Sequence, residues 1–211
     1  MKLRRLSVIL AAALAPVAAA PIASAAPAHA DSPPGTRSLA AVLTSHGYAF
    51  DHNWHDYDIL THAVLAVLAA KPHSAVSVLT DGTKPLTAFL PDDRAFRRLA
   101  VDLAGRELNS EKAVFDTLVK KAGINTIESV LLYHVVPGAT IDAATARRSD
   151  GAHLATALGG ATVTVDVDGR RISLVDKDPN SANPAVAVPD INKGNRQIAH
   201  GITRVLRPLD L

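Results

Sequence analysis

The chain has 211 residues, of which 22 are Lys or Arg and 20 are Asp or Glu, and it contains no cysteine. The lack of cysteine excludes disulfides, thiolate metal sites and a cysteine nucleophile. Three of the basic residues lie within the first thirty positions, where there is no acid, so 19 basic residues face 20 acidic ones in the rest. No basic run there exceeds two residues, and we therefore expect no nucleic-acid partner.

The first thirty residues have the pattern of a secretory signal peptide. Lys2, Arg4 and Arg5 precede an apolar stretch at 6–14, and small residues follow up to Ala30. This order predicts export, with cleavage after Ala30 and an extracellular product. The apolar stretch is shorter than the roughly 20 residues of a membrane-spanning helix, and no span is predicted in the mature chain. Both the general secretory and the twin-arginine route stay open.

The remaining chain is predicted to form a short Pro-rich leader at 31–37 and one domain at 38–211. Helical periodicity dominates its first half and alternating patterns its second half, so the predicted class is α+β. Asp58 is predicted to cap a helix from residue 59, and the Asp92-Asp93 turn to cap the next helix. The predicted helices are 38–45, 59–70, 94–103, 109–123 and 126–132, and the predicted strands are 85–90, 133–136, 162–167, 171–175, 185–188 and 198–206.

Three segments resemble the three conserved boxes of the fasciclin (FAS1) family, in family order. They are 86–96 (LTAFLPDDRAF), 131–138 (LLYHVVPG) and 198–208 (IAHGITRVLRP). The resemblance extends from about residue 39 to the end of the chain. The departures are Leu90 in place of the usual Ala, Arg196-Gln197 in place of Asn-Gly, and Thr203 in place of Asp.

The resemblance implies a wedge of two β-sheets with a helical layer on one side. It also implies a secreted adhesion or interaction module that binds extracellular proteins or surface polymers, without catalysis and without a cofactor. The Ala-rich, Arg-over-Lys composition is typical of a bacterial member. The residues that the resemblance places in the contact region are Tyr133, His134, Asp92, Asp93 and His200.

The histidines of the boxes also admit interpretations from their chemistry. Tyr133 and His134 are predicted to be adjacent on an extended segment, so that their side chains point to opposite faces. Because a buried histidine needs a hydrogen-bond partner, a structural role is favoured for His134 and for His200. His134 as a general base is the alternative, but no Ser or Asp at a triad-like spacing can be identified.

Residues 51–58 (DHNWHDYD) form the densest group of His and Asp in the chain. Imidazole and carboxylate are good ligands for Zn or Cu, so the alternative function is a small-ligand or metal-binding protein that uses segment 46–62, with His52 and His55 as ligands. The favoured interpretation is a polar loop that packs Trp54 on the domain. A second acidic stretch is predicted to be solvated, because it lacks EF-hand spacing; it comprises Asp166, Asp168, Asp176 and Asp178.

Overall fold

The computed structural model describes residues 33–45 and 47–209. The predicted signal peptide, its cleavage point and the first two residues of the leader lie outside these ranges. The helices are α1 (Leu39–Thr44), α2 (Asp58–Ala70), α3 (Asp93–Ala104), α4 (Glu111–Tyr133) and α5 (Ala143–Ala146), with a 3₁₀ helix at Ala75–Thr80. The strands are β1 (Leu86–Pro91), β2 (Val135–Pro137), β3 (His153–Ala155), β4 (Thr162–Asp168), β5 (Arg171–Val175), β6 (Val186–Ile191) and β7 (Gln197–Ile202).

Polar side chains cap three of the helices as the sequence indicates. Ser38 caps α1, Asp92 caps α3 and Ser110 caps α4, each accepting a hydrogen bond from the backbone N–H three residues later. Such a bond satisfies one of the free N–H groups in the first turn and is worth about 1 kcal/mol. Local sequence thus fixes where these helices begin.

The start of α2 differs from the prediction. Asp58 is the first helical residue, not the cap, and the preceding Tyr57 makes no side-chain capping bond. The carboxylate of Asp93 supplies the missing acceptor, because its Oδ1 accepts from the N–H of Ile59 at 3.1 Å. Asp93, at the start of α3, therefore caps the first turn of α2, although it lies 34 positions after Ile59 in the chain.

The two helices predicted at 109–123 and 126–132 are joined into α4 with a kink. The kink lies at Gly123, where φ is 73° and ψ is 164°, a conformation that favours glycine. The second half continues to Tyr133, and His134 is the C-cap with φ −87° and ψ −1°. The prediction that Tyr133 and His134 lie on an extended segment was therefore wrong, because the helix continues to its cap at His134 instead of ending at residue 132.

The strands form two sheets, with the orders β2-β1-β7-β6 and β3-β4-β5. β1 and β7 are parallel, and all other neighbours are antiparallel. The hairpin predicted at Asp168-Gly169 is present between β4 and β5, and Gly169 has a φ of 56° there. The predicted α+β class, with two sheets and a helical layer, is confirmed.

The core has a part on each side of the four-stranded sheet. The helices pack on one face through aliphatic residues of α2, α3 and α4. A second cluster lies between the two sheets and includes Phe89, Tyr133, Val136, Val163, Leu174, Ile202 and Leu206. Among residues 33–45 and 47–209, no helix has both the length and the apolar character that crossing a membrane requires.

Gly82 is expected to be intolerant of a side chain. A Cβ at this buried position would lie 1.8 Å from the backbone oxygen of Thr36, which cannot move without displacing the segment before α1. We expect Gly82→Ala to lower the free energy of unfolding by about 1–3 kcal/mol, measured by urea denaturation. Gly159→Ala is the matched control, because nothing lies within 4 Å of its Cβ; equal midpoints for both variants would contradict this packing.

Candidate functional site

Tyr133 lies in the cluster between the two sheets. Its side chain is fully buried, and its hydroxyl donates to the carbonyl of Thr162, in β4, at 3.0 Å. Burial, with the nearby Asp176 carboxylate, raises the pKa of the phenol to about 12. The residue therefore joins the end of α4 to the three-stranded sheet as a neutral hydrogen-bond donor.

His134 joins three parts of the chain. Its Nδ1 lies 2.7 Å from the carbonyl of Val130 in α4, and its Nε2 accepts from the N–H of Leu206 at 2.9 Å. Its own carbonyl accepts from Phe89 in β1 at 2.9 Å. Because Nε2 accepts, Nδ1 carries the proton. Complete burial lowers the pKa of this imidazole to about 4, so it is neutral at pH 7.

His200 and Asp92 also serve internal contacts. Nε2 of His200 lies 2.9 Å from the carbonyl of Ile141, and its Nδ1 accepts from the N–H of Asp190 at 3.3 Å. Asp92 uses one oxygen to cap α3 and the other to pair with Arg94 at 2.6 Å. Each polar group thus has a partner within the domain.

The five residues expected in a contact region share one property, which is burial. Their exposed fractions are 6% or less, and they lie at the start of α3, at the end of α4 and in β7. A partner could touch these side chains only if the surrounding structure opened. Their contribution in the folded domain is to position the backbone; direct contact by Tyr133, His134, Asp92, Asp93 and His200 stays a prediction.

Five carboxylates converge where the 51–58 loop meets the starts of α2, α3 and α4. We call this set the acidic cluster; it comprises Asp51, Asp56, Asp58, Asp93 and Glu111. Oxygens of Asp51, Asp56 and Asp58 lie within 4.8 Å of one another, and so do oxygens of Asp56, Asp93 and Glu111. Asp56 therefore links an outer group to an inner group.

Electrostatics in the acidic cluster favour uncharged carboxyls. Burial, followed by the hydrogen bond that protonated Asp93 makes with Asp56, raises the pKa of Asp93 well above its ordinary range. Burial and then the charges of Asp56, Asp51 and Glu111 raise the pKa of Asp58 to about 6. Carboxylates this close resist simultaneous ionisation unless a proton or a cation compensates them.

The histidines of the same segment do not join the acidic cluster. His52 and His55 are exposed on the loop, and His52 has a φ of 72°. His62 stacks on Phe50, with ring centroids 4.2 Å apart. Among residues 33–45 and 47–209, no group of three potential metal ligands includes a histidine; His46 lies outside the described residues.

An apolar groove of about 340 Å³ lies between α3 and α4. The kink at Gly123 separates the two halves of α4 along one side of the groove. Its described lining is apolar except for Lys121 and Thr126, and Leu209, 51% exposed, lies at the groove. Such a lining suits apolar contacts and offers no converging acid, base and nucleophile.

A family model for the fasciclin domain matches residues 61–208. This chain belongs to the fasciclin family. The fold is also similar to a solved FAS1 domain pair from the insect cell adhesion molecule fasciclin I, with a TM-score of 0.54 and 16% sequence identity. The similarity covers 82% of this chain and 51% of the insect chain, so this chain spans about half the length of the pair. No curated protein matches by sequence.

Two departures of this fasciclin domain from the family boxes, Gln197 and Thr203, have structural roles. Gln197 is fully buried and accepts from the N–H of Leu39 at 2.8 Å, while its amide donates to the carbonyls of Val78 and Asp81. It thereby ties β7 to α1 and the 3₁₀ helix. Thr203 accepts from the N–H of Ala185 through its hydroxyl at 3.1 Å.

Sequence reasoning missed an ion-pair network in the closing box of the fasciclin domain. Arg207 is 7% exposed and donates to Asp178 at 3.0 Å and to Asp102 in α3. The N–H of Arg207 also donates to Asp176 at 2.8 Å. Asp178, at 2% exposure, was wrongly predicted to be solvated, because a turn-like sequence does not show that a distant arginine covers it.

Proposed function

We propose that this chain is a secreted adhesion or interaction module that binds extracellular proteins or surface polymers without catalysing a reaction. The observation that carries the proposal is membership of the fasciclin family over residues 61–208. Fold alone is weak support for function, so the proposal also draws on the surface of the domain.

The apolar groove supports binding over turnover. An adhesion module is expected to expose apolar area, and the groove of about 340 Å³ provides it through the partly exposed side chains of Phe115, Ile127 and Val130. None of the residues with strongly shifted pKa values lines the groove; they are Tyr57, Asp58, Asp93, Tyr133 and His134. Strongly shifted pKa values are typical of catalytic sites, so their position away from the groove supports binding at the groove.

Secretion is part of the same proposal. The basic start, the apolar stretch and the small residues before Ala30 support export, and fasciclin domains are usually extracellular. A bacterial source remains a prediction from composition. N-terminal sequencing of the protein recovered from the medium tests both export and the cleavage point, and a product beginning at Met1 would contradict them.

A co-sedimentation assay tests adhesion. The purified protein is mixed with the producer's cells, with protease-treated cells and with purified cell-wall polymer, each with and without EDTA. We expect saturable retention by cells or polymer, and loss after protease treatment would identify a protein partner. Absence of retention in every arm would contradict the proposal.

Paired substitutions test the contribution of the groove. Leu209→Asp places a charge at the groove on a residue that is 51% exposed, so the fold is expected to remain intact. Leu65→Asp is the matched control on α2, since Leu65 is 39% exposed and does not line the groove. We expect only the first change to weaken retention, by about tenfold or more; equal retention of both variants would remove the groove from the proposal.

A second candidate function is metal binding by the 46–62 segment. The acidic cluster favours it, because three of the five carboxylates belong to this segment. The geometry supports carboxylate ligands in preference to His52 and His55.

A further inference from the structure

When its carboxylates are ionised, the acidic cluster has three buried oxygens with no hydrogen-bond donor among the described residues. They are Oδ1 of Asp56, Oδ2 of Asp93 and Oε1 of Glu111. Asp93 is 0% exposed and Glu111 is 1% exposed, so water does not readily compensate them. Unsatisfied buried polar atoms are rare in native proteins, and a bound ion is one of the few arrangements that satisfies them.

The other oxygens of the two buried residues are already used. Oδ1 of Asp93 accepts from Ile59, and Oε2 of Glu111 accepts from the N–H of Asp51 at 2.8 Å. These bonds hold the two carboxylates in place against two different backbone segments. The free oxygen of each is thereby held in a fixed position, as in a preorganised ligand set.

No positive side chain compensates the acidic cluster within residues 33–45 and 47–209. The ion pairs formed there by neighbouring acids involve other residues, such as Asp92 with Arg94 and Asp116 with Lys112. Buried carboxylates without a cationic partner are strongly unfavourable. A positive charge from outside the chain would remove this cost.

We propose that Asp56, Asp93 and Glu111 bind a calcium ion, with Asp51 and Asp58 as flanking carboxylates. The proposal does not rest on the adhesion function. Asp51 is exposed and Asp56 half-buried, so the outer group leads from solvent to the inner group.

The ligand chemistry selects calcium among common cations. All the donors are carboxylate oxygens, which suit hard cations and not the thiolate- and imidazole-rich sites typical of Zn or Cu. Calcium accepts six to eight oxygens in flexible geometry, whereas magnesium usually keeps several waters and only one or two carboxylates. Extracellular calcium modules bind with Kd values of roughly 0.1–1 mM, a range suited to a secreted protein.

The test is titration of the purified, EGTA-treated protein with CaCl₂ at pH 7, followed by calorimetry and thermal unfolding. We expect saturable binding and a higher unfolding midpoint, because calcium at 100 times its Kd raises the folded-to-unfolded ratio about a hundredfold. No heat and no shift up to about 10 mM would overturn the proposal. A shift with MgCl₂ but not with CaCl₂ would overturn the assignment to calcium.

Matched variants identify the ligands. Glu111→Gln is expected to weaken calcium binding at least about tenfold, whereas Asp116→Asn, an exposed carboxylate on the same helix, should leave it unchanged. If Glu111→Gln fails to fold, Asp56→Asn, at a half-buried position, replaces it and is expected to weaken calcium binding in the same way. His52→Ala with His55→Ala should bind calcium normally, and loss of binding in that variant would contradict a carboxylate site.

The Asp93→Asn variant distinguishes two ways of compensating the acidic cluster, a bound cation and a proton shared between carboxylates. The amide can donate toward Asp56 and keeps the acceptor for Ile59, so it should raise the midpoint of the calcium-free protein and abolish the response to calcium. A higher midpoint in this variant, with a wild type that ignores calcium, would show that a proton alone satisfies the acidic cluster, and would overturn the proposal. The outcome of these calcium experiments does not depend on retention in the co-sedimentation assay, so the calcium proposal and the adhesion proposal can fail separately.

Discussion

Replacing Arg207 by alanine is expected to lower the free energy of unfolding by about 3–5 kcal/mol. The guanidinium is the partner of Asp178, whose side chain is 1% exposed, and it also binds Asp102. Removing it leaves a buried carboxylate without a countercharge, which costs more than the loss of an exposed pair. Urea denaturation at pH 7 measures the change.

Two control variants test whether the loss of stability in Arg207→Ala comes from the unpaired buried charge of Asp178. Lys112→Ala breaks the exposed pair with Asp116 and should cost about 0.5 kcal/mol or less. Adding Asp178→Asn to Arg207→Ala should recover part of the loss, because a neutral amide replaces the unpaired charge. If Arg207→Ala unfolds at the wild-type midpoint, the ion pair does not stabilise the domain.

His134→Ala is expected to lower the free energy of unfolding by about 3 kcal/mol at pH 7. The change removes the bond to Val130 and leaves the N–H of Leu206 buried without an acceptor. His73→Ala, at an exposed position, is the control for the loss of a histidine. A wild-type midpoint for His134→Ala would contradict the structural role and favour a functional one.

The effect of His134→Ala should also depend on pH. Because the folded-state pKa of about 4 lies below the ordinary histidine value of 6.5, the unfolded chain takes up a proton first as the pH falls. The stabilisation by His134 is therefore complete above pH 6.5 and declines toward pH 4, by up to about 3 kcal/mol. The difference between wild type and variant should shrink across this window; a constant difference would mean that the imidazole is not held neutral.

Sequence predicted the parts of the fold that short-range chemistry determines. Ser38, Asp92 and Ser110 cap their own helices, and Asp168-Gly169 turns its own hairpin. In each case the signal lies within about four residues of the structure that it specifies. The three fasciclin boxes added the global arrangement, which no local pattern contains.

The features that the sequence did not predict depend on contacts between distant segments. Asp93 completes α2 from 34 positions away, and Arg207 pairs with Asp102 across 105 positions. Glu111 looks like an ordinary acid in the first turn of a helix, yet it is buried against the 51–58 loop. The acidic cluster was not predicted, because Asp93 and Glu111 lie outside the 51–58 loop and only the fold brings them to it.

The parallel pairing of β1 with β7 also determines when the domain can fold. Leu86 is in register with Gln197, and β7 lies between β1 and β6 in the sheet. The last of the described strands in chain order is thus an interior one, and until it is made β1 lacks a neighbour on that edge. Such long-range pairing is slow to form, so the four-stranded sheet stays incomplete until β7 has been synthesised, and β1 must wait for a strand more than a hundred residues later in the chain.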